Sequence, residues 1–203
     1  ETEAEPLRPG SLAESEEGGG LPGRATAIGT LVHYAISQGW RGDDERHLEN
    51  LRAQEVMFPY SDSETADILG EVAALLGNYW ELLGSGLPAL HERAEDHAEL
   101  PMALPAGSTV WQGVIDRLYL VDGEWFLEDY KTDRTVKPEL YLGQLALYAQ
   151  AVLSVRGVMP HARLVYLRER EIVDIPAEER QAVYARLHAP AAAQDSRPGS
   201  SIG

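Results

Sequence analysis

GVIDRLYLVDGEWFLEDYKTDR, residues 113 to 134, decides the fold of this chain. Its apolar positions read as two strands joined at Asp122-Gly123, a two-residue hairpin turn whose positive φ values suit Asp and Gly. Asp116, Asp129 and Lys131 nevertheless stand where core side chains belong. A strand interior disfavours Asp and Lys, and charge brought close to a core is costly unless something compensates it.

Strand side chains alternate, so Leu127, Asp129 and Lys131 share one face and Phe126, Glu128 and Tyr130 the other. The D-x-K spacing aims a carboxylate and an ammonium at the same place. Pairing through the turn sets Asp116 approximately opposite Asp129. Two carboxylates so placed repel, unless a cation lies between them. A hard divalent ion such as Mg²⁺, held by one or two carboxylates, water and a substrate phosphate, removes that penalty. A same-face Asp129–Lys131 ion pair is the plainest alternative, but it leaves Asp116 uncompensated. Arg117 cannot help, because it faces the other way.

Upstream, ATAIGTLVHYAISQG (25 to 39) puts Ile28, Leu31, Val32, Ala35 and Ile36 on one helical face, with His33 at its margin. DDERHLENLRAQEVM predicts a second, shorter helix. S-D-S-E at 61 to 64 has the form of a capping box and opens a long amphipathic helix through Leu69, Val72, Leu76, Tyr79, Trp80 and Leu83. HAELPMALP (97 to 105) reads as a strand around Glu99, broken by Pro101 and Pro105. Downstream, Lys137-Pro138 opens a helix that Gly157 ends, and on its face Gln144 and Tyr148 are spaced i, i+4 beside the strand of Lys131. ARLVYLRE and EIVDIP are two further strands, followed by a final helix after Pro176. Residues 1 to 23 and 190 to 203, rich in Glu, Gly, Pro, Ser and Ala, are expected to be a disordered linker and tail around a domain spanning 24 to 189.

Composition narrows the chemistry. The 203 residues hold 33 acidic and 17 basic side chains, a net charge of −16, which argues against wrapping nucleic acid by bulk electrostatics. Residues 113 to 170 are locally neutral, with 8 of each sign. Only two basic residues are lysine, Lys131 and Lys137, and an ammonium is a compact point donor where guanidinium is a fork. Without cysteine, a metal must use oxygen or imidazole ligands, and an iron-sulfur cluster is excluded. No apolar run is long enough to cross a membrane, and no secretory signal is visible, so the cytoplasm is the expected compartment. The chain begins with Glu rather than Met and is expected to be a piece of a longer protein.

The order G-T-L-V-H, G-x-I-D-R, D-Y-K-T-D and Q-L-A-L-Y, over residues 25 to 170, resembles the PD-(D/E)xK nuclease domain of RecB/AddA-type helicase-nucleases. D-x-K alone is a weak signal. Four elements in order, in matching strand, hairpin and helix context, are a strong one. The resemblance implies an α/β fold with a restriction-endonuclease-like core, a mixed central sheet flanked by helices and a helical N-terminal half. It also implies Mg²⁺-dependent hydrolysis of DNA phosphodiesters, with Mn²⁺ able to substitute, on single strands fed by a helicase motor during DNA end processing and recombinational repair. His33, Asp116, Asp129 and the Tyr130 carbonyl would ligate metal, and Lys131 would orient water and stabilise phosphate charge. Gln144 and Tyr148 would support Lys131 or contact DNA. Glu99 would fill the acidic position that some relatives carry ahead of the first Asp. Arg134, just past the strand, would touch a backbone phosphate. The missing cysteines place the chain with the cluster-free branch, and no GxxxxGK[ST] loop is present, so the motor must lie elsewhere. The alternatives are a standalone exonuclease and a catalytically silent module that binds DNA or a helicase.

Overall fold

Residues 5–6, 23–106 and 109–187 are described by the computed structural model. Most of the expected linker and all of the expected tail lie outside them. In chain order the elements are β1 (Glu5–Pro6), α1 (Arg24–Ser37), α2 (Glu45–Arg52), α3 (Asp62–Leu82), β2 (Glu95–Ala106), β3 (Thr109–Val121), β4 (Glu124–Lys131), α4 (Leu142–Arg156), β5 (His161–Tyr166), β6 (Glu171–Ile175) and α5 (Ala177–Leu187).

The hairpin of β3 and β4 forms the centre of a mixed sheet. Asp122 and Gly123 take φ of 52° and 84°, as the two-residue turn requires. Arg117 pairs with Glu128, the register expected from that turn. β5 adds to β4 in parallel and β6 closes the far side antiparallel. β2 runs antiparallel along the other edge of β3, and β1 meets β3 in parallel at Trp111 and Gln112.

Alternation on β4 and β5 feeds two apolar layers. Tyr130 and Val165 turn towards α1 and α3, meeting Ile28, Leu31, Val32, Ile68, Val72, Leu76 and Tyr79. Leu127, Leu164 and Tyr166 turn towards α4, meeting Leu145, Tyr148 and Val152. The result is a sheet covered by helices on both faces, with the first half of the chain helical, as expected. α3 starts in a reciprocal capping box: Ser61 N donates to Glu64 Oε2 (2.9 Å), and Glu64 N to Ser61 Oγ (3.4 Å).

Three local expectations need correction. β2 is not broken at proline: Pro101 pairs with Val114 and Pro105 with Val110. Among the described residues β2 pairs only with β3, and an edge strand tolerates a missing N–H on its outer side. The helix expected from Pro138 begins at Leu142, after a 3₁₀ turn over Pro138–Leu140, and ends at Gly157 in the left-handed conformation (φ 75°). The second helix stops at Arg52, and Glu55–Met57 form a separate 3₁₀ turn. No helix among the described residues is long and apolar enough to cross a membrane.

Candidate functional site

Asp116 lies on β3 at the point where both neighbouring strands let go of it. On one side the β3–β4 ladder ends at Arg117–Glu128, so Asp129 is opposite but unpaired. On the other, Ala98 pairs with Arg117 and Leu100 with Ile115, while Glu99 between them takes φ 48° and drops out of the ladder. A positive φ is uncommon for a residue such as Glu and marks a local departure from strand geometry. Space therefore opens on both flanks of a nearly buried carboxylate.

Two groups fill the gap between β3 and β4. The Tyr130 N–H, freed from the ladder, donates to Asp116 Oδ2 (2.7 Å). His33 comes from α1 and bridges the pair, with Nδ1 3.2 Å from Asp116 Oδ1 and Nε2 2.9 Å from the Tyr130 carbonyl. Both contacts are to acceptors, so the doubly protonated imidazolium satisfies them best. Burial pulls the His33 pKa down, but Asp116, by charge and hydrogen bond, and Asp129 outweigh burial and the Lys131 charge, raising it to about 9. Glu99 completes the cluster: one ligand atom each from His33, Glu99 and Asp116 lie within 4.8 Å of one another. Loss of water first, then the Asp116 charge, push the Glu99 carboxyl above its usual range, although the residue is largely exposed.

Asp129 and Lys131 form the other half. Lys131 Nζ stands 2.6 Å from Asp129 Oδ2, yet the angles there are not those of a hydrogen bond and that buried oxygen has no hydrogen-bond partner. Burial, and secondarily Asp116, push Asp129 upward against the pull of Lys131. The salt bridge that competes with metal ligation is thus present. Lys131 Nζ donates to Gln144 Oε1 (3.3 Å), and Gln144 Nε2 to the Tyr148 hydroxyl (3.0 Å), so both helix residues stand behind the ammonium as a buried chain. Tyr141 adds its ring, 3.7 Å from Nζ, and is itself tied by its hydroxyl to Asp133 (2.8 Å).

These groups open onto one cavity of about 840 Å³, whose lining includes His33, Glu99, Asp116, Asp129, Lys131 and Gln144. Every named candidate is accounted for. Tyr130 contributes its backbone, Arg134 stands on the cavity rim, and Tyr148 lies beneath the lining, behind Gln144. Arg117 faces away and makes a twofold contact with Asp96 (2.5 and 2.6 Å). The donor set is mostly hard oxygen, from carboxylates and a carbonyl, with one borderline imidazole, and suits a small divalent cation. Two buried carboxylates on facing strands, Asp116 and Asp129, with one ammonium between them and Glu99 beside them, are the clearest sign that a cation fits.

The model of the PD-(D/E)XK nuclease superfamily matches residues 13–197. The chain belongs to that superfamily. Over 159 residues it is 38% identical to an ATP-dependent helicase/nuclease protein of Heliobacterium modesticaldum, a match covering 73% of this chain and 10% of that protein. The chain thus spans about a tenth of the length of the curated relative it matches. A crystal structure of a proposed exonuclease from Eubacterium rectale superposes with a TM-score of 0.59 at 11% identity, over 82% of this chain and 64% of that one. It supports the fold.

Sequence reading missed Tyr141, Glu71, Arg24 and Arg168, all of which line the cavity. Glu71 and Arg168, 97 positions apart, make a 2.6 Å contact that no local spacing announces. Tyr141 follows the expected helix start too closely for its ring direction to be read from periodicity.

Proposed function

We propose that this domain is a divalent-metal-dependent deoxyribonuclease, using Mg²⁺ with Mn²⁺ able to substitute, that cuts phosphodiesters of single-stranded DNA delivered by a helicase motor. Its cellular role would be DNA end processing and recombinational repair in the cytoplasm. The observation that carries the reading is the cluster of His33, Glu99 and Asp116, whose ligand atoms lie within 4.8 Å of one another, in a cavity that Asp129 and Lys131 also line.

His33, Asp116, Asp129 and the Tyr130 carbonyl would hold the cation, with Glu99 as a further acidic ligand. A bound divalent ion would neutralise phosphate charge and acidify a water. His33 must surrender one proton to become a ligand, which frees whichever acceptor that nitrogen held, Asp116 Oδ1 or the Tyr130 carbonyl, while the other ring N–H goes on donating. Lys131, a positive donor fixed from behind by Gln144, would hydrogen-bond the attacking water or a phosphate oxygen and stabilise developing negative charge. Gln144, Tyr148 and Tyr141 act through Lys131. Arg134 would meet the backbone of the strand.

A silent binding module would lack one of the acids or the ammonium in this cavity, and all are in place. Incubation with labelled single-stranded DNA and Mg²⁺ or Mn²⁺ should give cleavage that Asp116→Ala or Lys131→Ala lowers by about 100-fold or more. Cleavage that survives both substitutions and excess EDTA would discard this site.

A further inference from the structure

Beside the metal-binding groups the same cavity carries a cluster of opposite character. Glu71 of α3 gathers three arginines from three elements: Arg24 Nη2 at 3.0 Å, Arg168 Nη2 at 2.6 Å and Arg134 Nη2 at 4.0 Å. One carboxylate among three guanidinium groups leaves a local charge of +2 on a chain whose total is −16.

The three arginines are held differently. Arg168 is the fixed member: its Nε donates to the Thr132 carbonyl (3.2 Å) while Nη2 holds Glu71, and its side chain is only 24% exposed. Arg24, at the first turn of α1, is half exposed, and Arg134 is 82% exposed. Two of the three guanidinium groups line the cavity and stay exposed, where a ligand can reach them. The anchor also places it: Thr132 follows Lys131, and Leu167 N donates to the Lys131 carbonyl (2.9 Å), so the arginines begin one residue beyond the ammonium. The bidentate geometry of guanidinium matches a phosphate.

The geometry points to a second phosphate subsite, formed by Arg24, Arg134 and Arg168 around Glu71, that grips a backbone phosphate next to the one being cut. It rests on the nuclease reading for the identity of its ligand, a DNA strand. Glu71 is the positioning residue: it stays ionised, because its contacts with Arg24 and Arg168 more than offset its burial, and it keeps three like charges together. The subsite fixes which linkage of a strand reaches Lys131, and it supplies local attraction on a protein that otherwise repels DNA.

The test is binding of a fluorescent single-stranded oligonucleotide in EDTA across a salt series, for the wild type, Arg134→Gln, the Arg24→Gln/Arg134→Gln double variant and Arg46→Gln. Arg46 is exposed on α2, beside Asp44 and away from the cavity lining. Each lost phosphate contact should flatten the slope of log K against log salt by about 0.7, so the double variant should flatten it by about 1.4 and bind roughly tenfold more weakly at low salt. Arg46→Gln should match the wild type. Equal affinity and slope in all four proteins, or no binding by the wild type at low salt, overturns the subsite. Cleavage assays with Mg²⁺ separate the two readings. Cutting with arginine-independent slopes sinks the subsite alone, and arginine-dependent slopes without cutting sink the catalytic reading while the subsite stands.

Discussion

His33 carries the most information of any single residue, because one ring joins two strands' worth of the site. Its ring spans Asp116 and the Tyr130 carbonyl, and its pKa rises from the ordinary 6.5 to about 9. A group whose folded pKa is raised adds stability that is complete below its unfolded pKa and is lost as pH climbs through the folded one. Metal-free protein should therefore lose stability between about pH 6.5 and pH 9, by up to about 3 kcal/mol from this residue. Thermal melts in EDTA across that range check it: His33→Gln should flatten the decline, and an unchanged slope contradicts the bridging role. Tyr148→Phe tests the support behind Lys131. It removes the acceptor for Gln144 Nε2 inside the protein, which should cost about 1 to 3 kcal/mol by denaturant titration and slow cleavage without weakening DNA binding. At this scale D-x-K was legible in the sequence because strand alternation alone puts its two charges on one face. The ring of Tyr141 over Lys131 was not, since it depends on a side-chain direction set by tertiary packing.

At the scale of elements, the site is made by strands parting. Asp116 lines the cavity because β4 leaves the β3 ladder beyond Glu128 and because Glu99 drops out of the β2 ladder without a change of register. The register of the hairpin could be read from Asp122-Gly123, since a two-residue turn fixes it. The parting could not, because nothing in an alternating pattern marks where a ladder ends. Pro101 misled for a related reason: proline was read as a strand breaker, while its meaning depends on whether the strand lies at an edge. Gly113 links β3 to α4. A Cβ there would lie 2.8 Å from Tyr148 Cε1, and Tyr148 is fully buried. Gly113→Ala should cost about 1 to 3 kcal/mol in a denaturant titration through overpacking, and should slow cleavage by displacing the Tyr148–Gln144–Lys131 chain. Wild-type stability in that variant would mean that the contact relaxes freely.

For the whole molecule, two helical layers close on a sheet whose alternate residues feed each layer, and the cavity opens where α1 and α4 both approach the parted strands. That architecture was legible from the order of helices, hairpin, helix and strands. The distribution of charge was legible only as a total, because the arginine cluster is assembled from α1, the β5–β6 turn and the segment after β4. With a net charge of −16, the isolated domain should bind DNA weakly, and tight, salt-insensitive binding would contradict delivery by a basic neighbour. The proposed catalysis requires Asp116, Asp129 and His33 to share a divalent cation. Calorimetric titration with Mn²⁺ at pH 7.5 in two buffers of different ionisation enthalpy tests this most directly. Binding should be saturable, release about one proton, from His33, and be lost in Asp116→Asn and Asp129→Asn. Binding unaltered by both substitutions, or no saturable binding to the wild type, would contradict it.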